Sequence, residues 1–148
     1  MTQITLAVLL EMKGSAVYSI APDASVLEAI QLMSERGIGA VLVMDGGALV
    51  GIVSERDYTR KVVLQGRASK DTRVEEIMTS DVITATPELT LEQAMRLVTE
   101  RRIRHLPVTR EGRVVGVVSI GDMVKTLLSL QKETIEQLKH YIGGGYMA

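Results

Sequence analysis

Two Ser-x-x-Asp segments, Ser54-Glu-Arg-Asp57 and Ser119-Ile-Gly-Asp122, are the residues of this sequence best placed to do chemistry. Each follows a Gly-apolar-apolar run (Gly51-Ile-Val; Gly116-Val-Val), so a strand ends and a helix opens at the Ser. At such a junction a hydroxyl and free backbone N–H groups suit a phosphate. An ionised carboxylate suits two neighbouring hydroxyls, through charge-assisted hydrogen bonds. The same residues are also ordinary helix caps, and one copy alone would not separate the two readings. The second copy at matched spacing favours a site. Cations stand near both. Arg101, Arg102, Arg104 and His105 occupy one helix-to-strand turn, where the other copy has Arg36-Gly37-Ile38-Gly39-Ala40. Arg56 adjoins Asp57, with Arg60 and Lys61 one turn on, whereas Gly121 adjoins Asp122. This assigns Arg104 and His105 to the cleft of Asp122 and Arg56 to that of Asp57. Arg101, Arg102, Arg60 and Lys61 read as a solvated basic face.

Sharper chemistries fail on spacing. Ser119, His105 and Asp122 supply the letters of a hydrolase triad, but Ser119 does not sit in a Gly-x-Ser-x-Gly elbow. The two histidines, His105 and His140, are too far apart for a paired metal motif, and there is no cysteine. Gly37-Ile-Gly39 follows a helix and precedes a strand, the reverse of a dinucleotide-binding turn. No catalytic residue, metal or catalytic cofactor is expected.

The elements that must position these residues come in duplicate. Shifting the sequence by 65 residues aligns Pro22–Tyr58 with Pro87–Met123 without a gap, with identity at 13 of 37 positions. Unrelated sequences of average composition would share about two or three. Each copy has a short β-branched strand (Val17–Ile20; Val82–Ala85) and then a capping box, Ser25-x-x-Glu28 or Thr90-x-x-Gln93. Behind the boxes, Val26, Ala29, Ile30 and Met33, like Leu91, Ala94, Met95 and Val98, draw one apolar stripe along a helix. Gly37 suits a left-handed cap. A hairpin follows: Ala40–Met44 with Leu49–Val53, and His105–Thr109 with Val114–Val118, around Asp45-Gly46-Gly47 and Arg110-Glu111-Gly112. The predicted fold is mixed α/β: two strand-helix-strand-strand-helix repeats related by a pseudo-twofold axis and packed sheet to sheet. The strands are apolar on both faces, and only the other copy can cover the second.

The pattern Ile-x-x-apolar-x-Val…Gly-apolar-apolar-Ser-x-x-Asp occurs twice, from Ile38 to Asp57 and from Ile103 to Asp122. In this the chain resembles a pair of cystathionine β-synthase (CBS) domains, a Bateman module. The resemblance spans roughly residues 10 to 128, with repeats over 10–66 and 74–128 and a C-terminal helix and tail over 129–148. It implies binding of an adenosine-containing ligand (AMP, ADP or ATP, with NAD plausible) in clefts between the repeats, and a regulatory role without chemistry of its own. Asp57 and Asp122 would hold ribose, with Ser54 and Ser119 beside them. Adenine would lie against Ile38, Gly39 and Ala40 in the Asp122 cleft, and against Ile103 and Arg104 in the Asp57 cleft. Segments near Lys13 and near Met78, Ser80 and Asp81 would close the pockets. Arg56, His105, Pro107 and Gly121 complete the expected ligand-binding set. The rival reading is a dimerisation module with empty clefts.

A net charge of −1 gives no bulk attraction to nucleic acid or anionic membrane. No apolar run approaches the ~20 residues that span a bilayer. The opening segment reads as a short packed helix over Ile4–Leu10 rather than a signal peptide, which together predict a cytoplasmic protein acting on a separate effector. Val124, Leu127, Leu128, Ile135, Leu138 and Ile142 form a coiled-coil-like seam, which predicts a homodimer, with Gly143-Gly144-Gly145-Tyr-Met-Ala as a frayed tail.

Overall fold

The computed structural model describes residues 4–146, with side chains described through His140. Helix α1 (Leu6–Lys13) comes first. The first repeat is β1 (Ser19–Ile20), α2 (Val26–Arg36), β2 (Ala40–Asp45), β3 (Ala48–Ser54) and α3 (Glu55–Tyr58), which runs on as a π-helical turn over Thr59–Val63. A 3-10 turn (Val74–Glu76) leads to α4 (Leu91–Arg101), β4 (His105–Arg110), β5 (Arg113–Ser119) and α5 (Ile120–Tyr146). Both capping boxes form as the sequence predicts. Ser25 Oγ accepts from the Glu28 N–H while the Glu28 carboxylate accepts from the Ser25 N–H, and Thr90 and Gln93 do the same. The hairpins turn through positive φ at Gly46 and Gly47 and at Glu111 and Gly112, the mirror-image geometry that matches strand twist.

Strand alternation divides the core into three layers. Val41, Val43 and Val53 pack under α2 against Val26, Ala29 and Met33. Leu106, Val108 and Val118 pack under α4 against Leu91, Ala94 and Val98. Leu42, only 1% exposed, belongs to neither cluster. It lies on the opposite face of its strand, where it shares a cavity wall with Ile52 and with Val117 of the second repeat. The second faces of the two sheets therefore meet, as the apolar strands require.

One strand departs from expectation. β1 pairs in parallel with β2 through Ser19–Leu42 and Ile20–Val43, and the Leu42 N–H donates to Tyr18 O at 3.1 Å. In the second repeat Val82–Ala85 is reduced to a single bridge, Ala85 to Val108. The residue matching Leu42 is Pro107, which has no N–H to give, so the ladder stops one pair short. The terminal glycines also differ from the expected tail. α5 stays helical through Tyr146, since glycine weakens a helix by about 1 kcal/mol per residue without barring it. Met147 and Ala148, and the Ile142 side chain, lie outside the described residues.

The sequence did not foretell how the segments preceding the repeats are exchanged. α1 leads into the first repeat but packs on the second, where the Leu6 N–H donates to Leu89 O (2.8 Å), Ala7 N–H to Pro87 O (2.9 Å), and Leu91 N–H to Ile4 O (2.7 Å). The connection between the repeats packs back on the first. There the Val74 N–H donates to Ala24 O (2.8 Å), Glu75 N–H to Pro22 O (3.0 Å), and Val26 N–H to Thr72 O (2.8 Å). The two sets are counterparts, contact for contact. Leu10 then sits over Gly116 and Met78 over Gly51, each where a Cβ would collide. Among the described residues no helix is long and apolar enough to cross a membrane.

Leu9 is fully buried in the second repeat's core although it precedes the first repeat. Leu9→Ala should therefore lower unfolding free energy by about 2–5 kcal/mol in urea denaturation. A loss below about 1 kcal/mol would mean that α1 does not pack there in solution.

Candidate functional site

The C-terminal ends of β3 and β5 each open into a cavity shared by both repeats. The larger, about 460 Å³, surrounds Asp57 with Ser54 and Arg56, and receives Asp81, Ile103, Arg104 and His105 from the second repeat's side. The smaller, about 340 Å³, surrounds Asp122 with Ser119, and receives Lys13, Ile38, Gly39 and Ala40. Both volumes fall within the roughly 300–1,000 Å³ of small-molecule sites. Met78, Ser80, Pro107 and Gly121, expected at the pockets, line neither. Met78 is turned under Gly51, and Pro107 is buried in its strand.

The two Ser-Asp pairs are capping boxes. Asp57 Oδ2 accepts from the Ser54 N–H (2.9 Å) and hydroxyl (3.0 Å), and Ser54 Oγ accepts from the Asp57 N–H (3.2 Å). Asp122 Oδ2 accepts from the Ser119 N–H (2.9 Å), and Ser119 Oγ accepts from the Asp122 N–H (3.0 Å). The next N–H groups are also taken, Glu55 donating to Gly39 O (3.0 Å) and Ile120 to Arg104 O (2.9 Å). The backbone donors expected to hold a phosphate are thus mostly committed within the protein. Among the described residues His105 makes no hydrogen bond to Ser119, so no triad is assembled.

The cations are distributed differently from the sequence-based assignment. Arg104 lies in the Asp57 cavity and not in that of Asp122, and His105 borders both. The pseudo-twofold axis is the reason, because each repeat's helix-to-strand turn faces the carboxylate of the other repeat. Arg60, Lys61 and Arg102, read as a solvated face, also line the Asp57 cavity. Lys61 pairs with Asp57 Oδ1 at 3.2 Å and donates to Ile77 O at 2.8 Å; its place four residues after Asp57 was the available signal. Arg102 caps α4 in the left-handed region at φ 55°, matching Gly37 at φ 62°. An arginine at a position that favours glycine was the signal there.

In the Asp122 cavity, Lys13 at the end of α1 donates to Asp122 Oδ2 (2.6 Å) and to Val117 O (2.7 Å). Burial pushes the Asp122 carboxyl up, but Lys13 and the Ser119 donors overcome it and hold the group below its ordinary value. Burial, reinforced by Arg104 and Lys13, holds the His105 imidazole below its ordinary value, against the pull of Asp122 and Glu55.

Two composite cavities across a pseudo-twofold axis, each with a carboxylate at a helix start, define a tandem-repeat module with paired cavities. The CBS domain family profile matches residues 12–64 and 74–129, and the chain belongs to that family. It is 44% identical over 129 residues to the CBS domain-containing protein CBSX3, mitochondrial, of Arabidopsis thaliana, covering 84% of this chain and 63% of that one. The chain thus spans less than two thirds of that relative's length. The crystallised CBS domain protein NE2398 superposes with a TM-score of 0.83 at 47% identity, over 86% of this chain and 99% of that one. The CBS domain pair of protein MJ0100, crystallised with 5′-methylthioadenosine and S-adenosyl-L-methionine, shares the fold with a TM-score of 0.77 at 24% identity, over 86% and 98% of the chains.

Because the folded state holds His105 neutral more readily than the unfolded chain does, the unfolded state binds more protons just below pH 6.5. Stability contributed by neutral His105 is present above about pH 6.5 and is lost as pH falls through the lower folded value. An NMR titration should place the imidazole midpoint below 6.5, and His105→Gln should lose less stability than wild type between pH 7.5 and 5.5. A midpoint above 6.5 would contradict the burial.

Proposed function

We propose that this chain is a regulatory nucleotide-binding module that takes adenosine-containing ligands, AMP, ADP or ATP with NAD as the alternative, in its two cavities and performs no chemistry on them. The observation that carries the reading is the repetition of one composite arrangement: an aspartate at a helix start facing the backbone turn of the other repeat. In each cavity the carboxylate would accept from the ribose hydroxyls while staying in its capping box. In the second cavity Lys13 would yield or share Asp122. Adenine would lie against Ile38–Ala40 in one cavity and against Ile103–Arg104 in the other. The adenosine ligands of the MJ0100 pair support this choice of ligand class. Binding then reports to an effector through the repeat interface and α1.

The functional unit in this proposal is a homodimer. Leu127 and Leu130 of α5 pack on the second core, but Leu128, Ile135 and Leu138 remain more than half exposed. A second copy would cover this seam, the usual closed twofold solution. Light scattering at tens of micromolar should give about 32 kDa, twice the 16.1 kDa chain; a 16 kDa species would count against the dimer.

Thermal shift with AMP, ATP, NAD and S-adenosylmethionine tests the ligand class. A ligand at 100 times its dissociation constant should add about 2.7 kcal/mol of stability, and no shift with any of them would favour the empty-module reading. Asp57→Ala and Asp122→Ala should each weaken binding in one cavity by about 30-fold or more, through loss of two ribose hydrogen bonds. Loss of the cap itself costs only about 1 kcal/mol, so both variants should fold. Wild-type affinity in both would sink the ribose assignment.

A further inference from the structure

Matched positions around the two cavities differ in charge, and the arginines gather at the Asp57 cavity even though Glu55 there corresponds to Ile120. The turn reaching into the Asp57 cavity is Arg102-Ile103-Arg104-His105, and its counterpart in the Asp122 cavity is Gly37-Ile38-Gly39-Ala40. Beside the carboxylates, Arg56 corresponds to Gly121, and Lys61 to Thr126. The Asp57 cavity therefore carries five cations against three carboxylates, whereas the Asp122 cavity carries Lys13 alone, paired with Asp122. Among the described residues Arg56, Arg60, Arg102 and Arg104 make no ion pair and no side-chain hydrogen bond. Arg102 also keeps a left-handed backbone, at φ 55°, that residues other than glycine rarely adopt. Local stability would favour glycine there, as at Gly37, and the guanidinium instead lines the cavity. Unpaired cations gathered in one concavity with no protein partner fit a multiply charged anion.

We propose that the two cavities divide ligands by charge. The Asp57 cavity takes a nucleoside di- or triphosphate, its phosphate chain held by Arg56, Arg102 and Arg104. The Asp122 cavity takes a nucleoside whose lodged portion carries no net negative charge, since its one cation is committed. This rests on the nucleotide reading above and assigns a chemical class to each site.

The test uses the whole chain with three probes: ATP, adenosine and inorganic tripolyphosphate, titrated by calorimetry at low and moderate salt. With Asp122→Ala, which leaves the Asp57 cavity intact, ATP should bind at least 10-fold tighter than adenosine and weaken as salt rises. With Asp57→Ala added to Arg102→Gly and Arg104→Gly, which removes ribose and phosphate partners of the Asp57 cavity together, ATP should bind no better than adenosine. Arg102→Gly combined with Arg104→Gly copies the backbone of Gly37 and Gly39. It should keep the wild-type melting temperature or raise it, and lose at least 10-fold more ATP affinity than adenosine affinity. Equal ATP preference in both cavities, or unchanged ATP affinity in the double variant, overturns the division and leaves the nucleotide reading standing. Tripolyphosphate bound by wild type and lost in the double variant, with no adenosine bound, supports the anion site and overturns the nucleoside reading. No binding of any probe overturns both.

Discussion

Leu10 lies over Gly116 and Met78 over Gly51, so each repeat's sheet is closed by the segment that precedes the other repeat. Neither unit of about 60 residues can bury its own apolar strands, and small units are marginal in any case. Exchange of the leading segments couples the two cores, because pulling α1 away would uncover the second repeat while freeing the entrance to the first. A Cβ at either crossing-point glycine would force the facing Leu10 or Met78 side chain to shift. At Gly51 a methyl would meet Met78 and come within 3.1 Å of the Thr79 carbonyl, so closure there depends on the missing side chain.

The same exchange makes the cavities composite. Ile52 and Thr79 exchange two backbone hydrogen bonds, 3.0 and 2.9 Å long, and so bring the inter-repeat connection to the edge of the Asp57 cavity. Lys13 ends the other exchanged segment and reaches Asp122. A ligand in either cavity would touch both repeats and one exchanged segment, so its binding free energy would act directly on the contact that holds the module together. The Lys13–Asp122 pair is partly exposed, and such pairs stabilise by no more than about 1 kcal/mol. It can be displaced without loss of the fold.

Much of the scaffold was legible because its signals are local. Ser25-x-x-Glu28 and Thr90-x-x-Gln93 satisfy helix-end donors within four residues, and Gly46-Gly47 reverses a hairpin whatever lies beyond it. The Ser-Asp pairs were legible only as an ambiguity, because each aspartate both closes a capping box and lines a cavity. The reading failed where two distant residues had to be compared. Pro107 removes a donor that Leu42 supplies, and Val82–Ala85 loses its strand, although its own residues are as β-prone as those of β1.

Periodicity, caps and the repeated Gly-x-x-Ser-x-x-Asp determined the repeats, their elements and the two carboxylates, since each of these is settled within one turn of helix or one hairpin. Only the tertiary structure decided which cations serve which carboxylate. Arg104 sits closer in sequence to Asp122 than to Asp57, yet a pseudo-twofold axis carries every turn to the opposite repeat. Neighbourhood along the chain then misreports neighbourhood in space. Arg104, assigned on paper to the cleft of Asp122, and Arg102, read there as solvated, join Arg56 in one cavity because the axis carries their turn to the other repeat.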